Sequence, residues 1–132
     1  MEKKFEFVKS CIIEMGFDIL SEDQNEELIV ISDEESSISN LVIDCEDPIL
    51  VMEQVIMSVP QNNRNELFKR LLQMNREIVH GAFALNTDES LIVFRDTLQL
   101  ENIDRNEIEG SIRSLELALS EYGEELIEFS KN

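Results

Sequence analysis

The sequence has no tryptophan, one tyrosine, one histidine, two cysteines, two prolines and four glycines in 132 residues. Each scarcity closes a route. A single histidine cannot build a histidine-rich zinc site. Two cysteines make no disulfide scaffold, and the spacing of Cys11 and Cys45 fits no metal motif. Four scattered glycines supply neither a phosphate loop nor a dinucleotide fingerprint. Without tryptophan an aromatic-walled sugar cleft is poorly furnished. Positive charge is scarce as well: 11 basic residues stand against 29 acidic ones, a net charge of −18. A chain this acidic is repelled by nucleic-acid phosphates and by anionic lipid, which argues against non-specific binding to either. No apolar run approaches the ~20 residues needed to cross a bilayer. Glu6, Lys9 and Glu14 interrupt the first apolar stretch, which is not the core of a signal peptide. The expectation is a soluble, cytoplasmic chain without metal or cofactor. With 42% hydrophobic residues, it has material for one buried core and one domain over residues 1–132.

What is present is periodicity. From Lys3 to Met15, Phe5, Val8, Ile12 and Met15 recur at helical spacing with Cys11 beside them, and Gly16 stands where a helix would stop. The period then shortens. Phe17–Ser21, Leu28–Ile31, Ile38–Cys45 and Ile49–Val59 are strand candidates, separated by clusters of Asn, Asp, Glu and Ser that favour turns. A second helical stripe, Leu67, Phe68, Leu71, Leu72, Ile78 and Val79, leads to Gly81, and Asn63 with Glu66 has the spacing of a capping box. Two more strands follow, Ala82–Asn86 and Leu91–Leu100. In the second, Ile92, Phe94, Leu98 and Leu100 alternate with Arg95, Thr97 and Gln99. Asp104 with Glu107 opens the last helix, whose stripe runs through Ile108, Ile112, Leu115, Leu119, Tyr122, Leu126 and Phe129. Beside it Gly110, Ser114 and Ala118 form a row of small residues that allows close approach. The predicted fold class is α+β: an antiparallel sheet in the order α-β-β-β(-β)-α-β-β-α.

Candidate chemistry is thin. His80 with Cys11 or Cys45 would be a thiol nucleophile beside an imidazole, or two buried small residues and an ordinary helix-end histidine. Nothing supplies the third group that would orient the imidazole. Asp33-Glu34-Glu35 and Asp44-x-Glu46-Asp47 lack the alternating ligands and central glycine of a calcium loop, and read as solubilising charge in turns. Asp44 and Asp96 are the carboxylates a small hydrolase would have to use.

The distribution of charge says more than its total. No basic residue lies between Lys9 and Arg64, an interval holding thirteen acids. That half is either a solvated face or a surface that steers a basic partner. Within it, Ile49 to Val59 is the longest apolar segment. As a strand, it places Ile49, Val51, Val55, Met57 and Val59 on one face and Leu50, Met52 and Ile56 on the other. One layer of helices covers one sheet face, so the second face needs a further helix, another subunit or a bound segment. Leu50, Met52 and Ile56 are the expected partner or dimer contacts.

The stretch LLQMNREIVHGAFALNTDESLIVFRDTLQLENIDRNEIEGSIRSLELALSEYGEELIEF, Leu71 to Phe129, resembles the YbjN-like group of bacterial proteins, which share the type III secretion chaperone-like fold of CesT-type (Tir chaperone-like) proteins. The resemblance rests on Leu72, Asn75, Gly81, Ala82, Phe83, Phe94-Arg95-Asp96, Leu98, Leu115 and Leu119, and extends more loosely through Val42–Pro48 to the N-terminus. These positions also have structural readings. Asn75 can bond the backbone of the following turn, Gly81 can supply a positive-φ exit, and Arg95 can pair with an acid across the sheet. The resemblance brings no catalytic motif. The doubly apolar strand together with this resemblance points to a non-enzymatic protein-interaction module, a homodimer that binds a partner polypeptide in a chaperone-like way. The acidic surface favours a basic partner. The alternative is a regulatory protein of the sensory-transduction type that protects no client.

Overall fold

A computed structural model describes residues 4–132. Lys3, where the first helix is expected to begin, lies outside the described residues. The elements run α1 (Lys4–Glu14), β1 (Asp18–Asp23), β2 (Leu28–Asp33), β3 (Ile38–Glu46), β4 (Ile49–Ser58), α2 (Arg64–Asn75), β5 (Ala82–Leu85), β6 (Leu91–Gln99) and α3 (Arg105–Ser130). The strands form one antiparallel sheet in the order β1-β2-β3-β4-β6-β5. Consecutive strands pair except where α2 intervenes, and there the hairpin of β5 and β6 docks through β6 onto β4.

Local chemistry explains the turns. Between β1 and β2, Asp23 Oδ1 accepts from the N–H groups of Asn25 and Glu26 at 3.0 and 3.1 Å. Between β2 and β3, Asp33 Oδ1 accepts from Glu35 N–H at 3.1 Å. Such bonds replace the ladder that the backbone loses in a turn. The turn that follows α1 closes at Gly16, whose φ of +87° costs glycine little. α3 starts as its sequence indicates: Asp104 Oδ1 accepts from Glu107 N–H at 2.8 Å.

α2 departs from expectation at both ends. Asn63 sits at φ +60° and makes no side-chain cap; its amide donates instead to Asn132 Oδ1 at 2.9 Å. The helix also stops at Asn75 rather than continuing to Gly81. Arg76, Glu77 and Ile78 donate to the carbonyls three residues back, the tighter bonding that closes a helix. Met74 is therefore buried with Leu67 and Leu71, while Leu72 and Val79 are left exposed.

The turn after α2 rests on the row of small residues in α3. A Cβ at Gly110 would lie 3.9 Å from the His80 ring. Ser114 Oγ accepts from His80 N–H at 3.2 Å and donates to the His80 carbonyl at 2.6 Å. Small side chains bring helix and turn together, and the hydroxyl satisfies a backbone that would otherwise be stranded.

All three helices feed one core. Val8 and Ile12 of α1, Leu67 of α2 and Ile108 and Leu115 of α3 meet Ile29, Ile43, Leu50 and Met52 of the sheet. Each such side chain contributes about 1.5–3 kcal/mol by leaving water. The molecule is thus two-layered, with helices on one side of the sheet.

Candidate interaction surface

β4 lies between β3 and β6 and has two different faces. On the helix side, Leu50 and Met52 are 0% and 3% exposed. The expected contact strip therefore needs correction: Leu50 and Met52 belong to the chain's own core and offer a partner nothing. Ile56 is half-buried. A bulge between Val55 and Met57 changes the register, so Met57 faces Ile92 on the helix side instead of following Val55. Ile56 and Met57 together with Leu119 and Ile127 line a cavity of about 430 Å³ at the end of α3. Of the three expected contact residues, Ile56 alone borders open space.

The opposite face carries the apolar residues that the helices leave alone. Residues paired directly across strands project to the same side. Val51 has Asp44 and Thr97 as neighbours, Glu53 has Val42 and Arg95, and Val55 has Val93, which in turn faces Ala84. Val51 and Val93 are only 8% and 3% exposed, yet they stand outside the helix-covered core cluster; side chains of the same face close around them. Val55 is 54% exposed. Leu28, Val30, Val42, Ile49 and Ala84 are half-buried around this centre. The result is a partly exposed aliphatic face around Val55 with acids set into it.

The electrostatics follow from that setting. Burial among these side chains, then a hydrogen bond with Glu46 and repulsion from Glu46 and Glu26, pushes the Asp44 carboxyl up to about 6. Arg95 Nη1 pairs with Glu53 Oε1 at 3.0 Å, the cross-strand pair its position suggests. No lysine or arginine pairs with Asp44 or Glu46 among the described residues.

The candidate catalytic groups do not assemble. Asp44 projects with Val51 onto the open face, whereas Asp96 faces Met52 on the helix side and accepts from Ser111 Oγ at 2.7 Å. Two carboxylates on opposite faces of a sheet cannot share a substrate. Cys45, buried opposite Leu50, has its thiol pushed up to about 12 by burial and by Glu27 and Asp44, which suppresses the nucleophilic thiolate. His80 is committed to α3 through its backbone. Among the described residues, no group of three or more His, Cys, Asp or Glu is arranged to hold a metal ion. No helix among them is long and apolar enough to cross a membrane.

Two residues of this site escape a sequence reading based on alternation. Val93 interrupts the polar side of β6, and that break in alternation is the signal that both sides of the strand carry apolar packing. Gln54 reads as a polar interruption of an apolar run. It is buried on the helix side, where Oε1 accepts from Ser39 N–H and Nε2 donates to the Ser37 carbonyl, both at 3.0 Å. It holds the irregular start of β3 against β4. The sheet edges differ too. The outward N–H and carbonyl of Phe83 in β5 are taken up by the Asn75 amide, while β1 carries Asp18, Glu22 and Asp23 along its edge.

Comparison with known proteins agrees with this architecture. No curated protein matches the chain in sequence. The fold is similar to that of YbjN from E. coli, with a TM-score of 0.66 at 11% identity over 92% of each chain. It is also similar to the HopA1–SchA chaperone–effector complex, with a TM-score of 0.63 at 11% identity over 91% of this chain and 96% of the other. The Yersinia pestis type III secretion chaperone SycH, in complex with a fragment of YscM2, matches with a TM-score of 0.58 at 11% identity over 89% and 98% of the two chains. The α+β fold is therefore that of the type III secretion chaperones, as the resemblance in sequence implies. A family model covers residues 1–132, and the chain belongs to the CesT_Tir_1 family.

Proposed function

We propose that this protein is a non-enzymatic, chaperone-like module that binds a partner polypeptide. The observation that carries the reading is the one-sided sheet: three helices bury one face, while the other carries exposed Val55 and the half-buried Leu28, Val30, Val42 and Ile49 around the buried Val51 and Val93. A surface of that kind marks a docking site rather than a reaction centre. Two of the structural neighbours are chaperones held with an effector or a protein fragment, which supports the same role here.

A second apolar surface supports a two-copy assembly. Val79 and Leu117, both exposed, line a cavity of about 460 Å³ with Tyr122 between α3 and the turn after α2. Arg113, Glu77 and Glu121 rim it, so a copy rotated by a two-fold can pair opposite charges across the join. The acidic surface favours a basic partner, and the expected location is the cytoplasm.

The test is native capture with the tagged chain, followed by mass spectrometry and a solution mass. The expected result is one polypeptide retained in stoichiometric amount, protease-sensitive alone and protected in the complex, on a dimer of the chain. Retention of no polypeptide would overturn the partner reading. A monomer at all concentrations would overturn the assembly. Capture of a folded signalling protein, without protection of any client, would move the role to regulation.

A further inference from the structure

Exposed apolar side chains mark three surfaces: the two cavities beside α3 and the open sheet face. The open face is electrostatically one-sided. Asp44, Glu46 and Glu53 are set among its aliphatic residues, and its cation, Arg95, is already engaged by Glu53.

We propose that this face is the seat of a cationic amphipathic helix, whose aliphatic stripe covers Val55 with the half-buried Val42, Ile49 and Ala84 and whose lysines or arginines reach Asp44, Glu46 and Glu53. The inference rests on the partner reading above and specifies the partner's chemistry. A helix is the occupant because a sheet face offers side chains alone. A strand laid flat on it would bury backbone N–H and carbonyl groups without partners, whereas a helix satisfies its own. A third layer of helix is also the usual way to cover a sheet's second face. Strand addition belongs to the edges of the sheet and not to this face, and the β5 edge is closed at Phe83 by Asn75.

Charge selects among helices. Burial, then a hydrogen bond with Glu46 and repulsion from it, holds the Asp44 carboxyl up at about 6. An ammonium or guanidinium group arriving there removes that repulsion, and the long stems of lysine and arginine add apolar cover while their heads reach the rim. A second copy of the chain, face to face, would set the same acids against themselves on molecules of net charge −18.

The probe is a synthetic leucine–lysine peptide of about 16 residues with leucine at helical spacing. A leucine–glutamate peptide of the same pattern and a scrambled leucine–lysine peptide serve as controls. Binding is read by anisotropy near physiological salt and located by amide hydrogen exchange. The patterned cationic peptide should bind and protect β4 and β6, and the two controls should bind at least about tenfold more weakly. Val55→Lys, at an exposed position, should weaken binding about tenfold with an unchanged unfolding midpoint. The pair Asp44→Asn and Glu53→Gln should weaken it several-fold. Equal binding by the scrambled peptide, protection confined to the cavities beside α3, or undiminished binding by Val55→Lys would each overturn the proposal. Native capture separates it from the broader reading. A partner still retained by Val55→Lys leaves the module's role standing and removes this face as its seat. If the parent chain retains no partner but the patterned peptide binds here, the face has the stated chemistry and the broader reading fails.

Discussion

The side-chain amide of Asn75 brackets the backbone of Phe83: Nδ2 donates to the Phe83 carbonyl at 3.1 Å and Oδ1 accepts from its N–H at 2.8 Å. One helix-terminal side chain thus imitates a neighbouring strand and closes an edge of the sheet. Asn75→Ala should lower stability by about 1–2 kcal/mol, since water can replace part of what is lost. Asn75→Asp should also destabilise, because a carboxylate would face the Phe83 carbonyl where an N–H now donates. Urea unfolding measures both, and an unchanged midpoint would remove the edge-closing role.

The glycines of the chain separate cleanly by environment. At Gly81, φ is +80° and an added Cβ would lie 2.6 Å from the Phe94 ring. Gly81→Ala should cost about 2 kcal/mol or more through strain and overpacking. Gly123 lies within α3 and an added Cβ meets nothing within 4 Å, so Gly123→Ala should gain about 0.5–1 kcal/mol. Thermal unfolding of the two variants should move in opposite directions. A shared direction would contradict the packing described at one of the two sites.

Asp44 gives the folded protein a signed pH dependence. Its carboxyl, near 3.8 ordinarily and about 6 here, binds a proton more tightly in the folded state than in the unfolded one. Its contribution is therefore most favourable below about 4 and is lost as pH rises through about 6. Asp44→Asn should raise stability at pH 7 by about 1 kcal/mol, a figure reduced for screening by solvent at a partly exposed site. It should also flatten the pH profile between 4 and 6 relative to the parent. Glu46 remains in both proteins but titrates together with Asp44, so the difference between profiles reports the pair. Parallel profiles would count against the desolvated setting.

The two faces of β4 should respond differently to truncation. Leu50→Ala and Met52→Ala remove side chains from the core and should each cost about 2–5 kcal/mol. Val55→Ala, on the open face, should cost under about 1 kcal/mol in the isolated chain. Equilibrium denaturation ranks them, and equal losses would mean that something in the chain also covers Val55.

The ranking matters because the contacts expected from the sequence, Leu50 and Met52, lie on the face of β4 that the helices bury. The run from Ile49 to Val59 is apolar on both sides, and that much is legible from alternation. Leu50, Met52 and Ile56 nonetheless look no different from Ile49, Val51 and Val55 until helices are placed. The bulge at Val55–Met57 is a further change of register that no alternation pattern contains. The end of α2 was similarly hidden. Ile78 and Val79 keep helical spacing after Asn75, but the Asn75 amide bonds a strand eight residues later.

Element types, their order and the α+β class were determined by the chain itself, because hydrophobic period, caps such as Asp104 and turn residues such as Asp23 act over a few neighbouring residues. Which sheet face the helices bury, where α2 stops and which apolar surface stays bare were decided only in three dimensions. Those outcomes depend on groups far apart in sequence: Ser114 with His80, Asn75 with Phe83, and α3 against Met52. Local periodicity states that a strand has two greasy faces; long-range packing chooses the one that the protein keeps for itself.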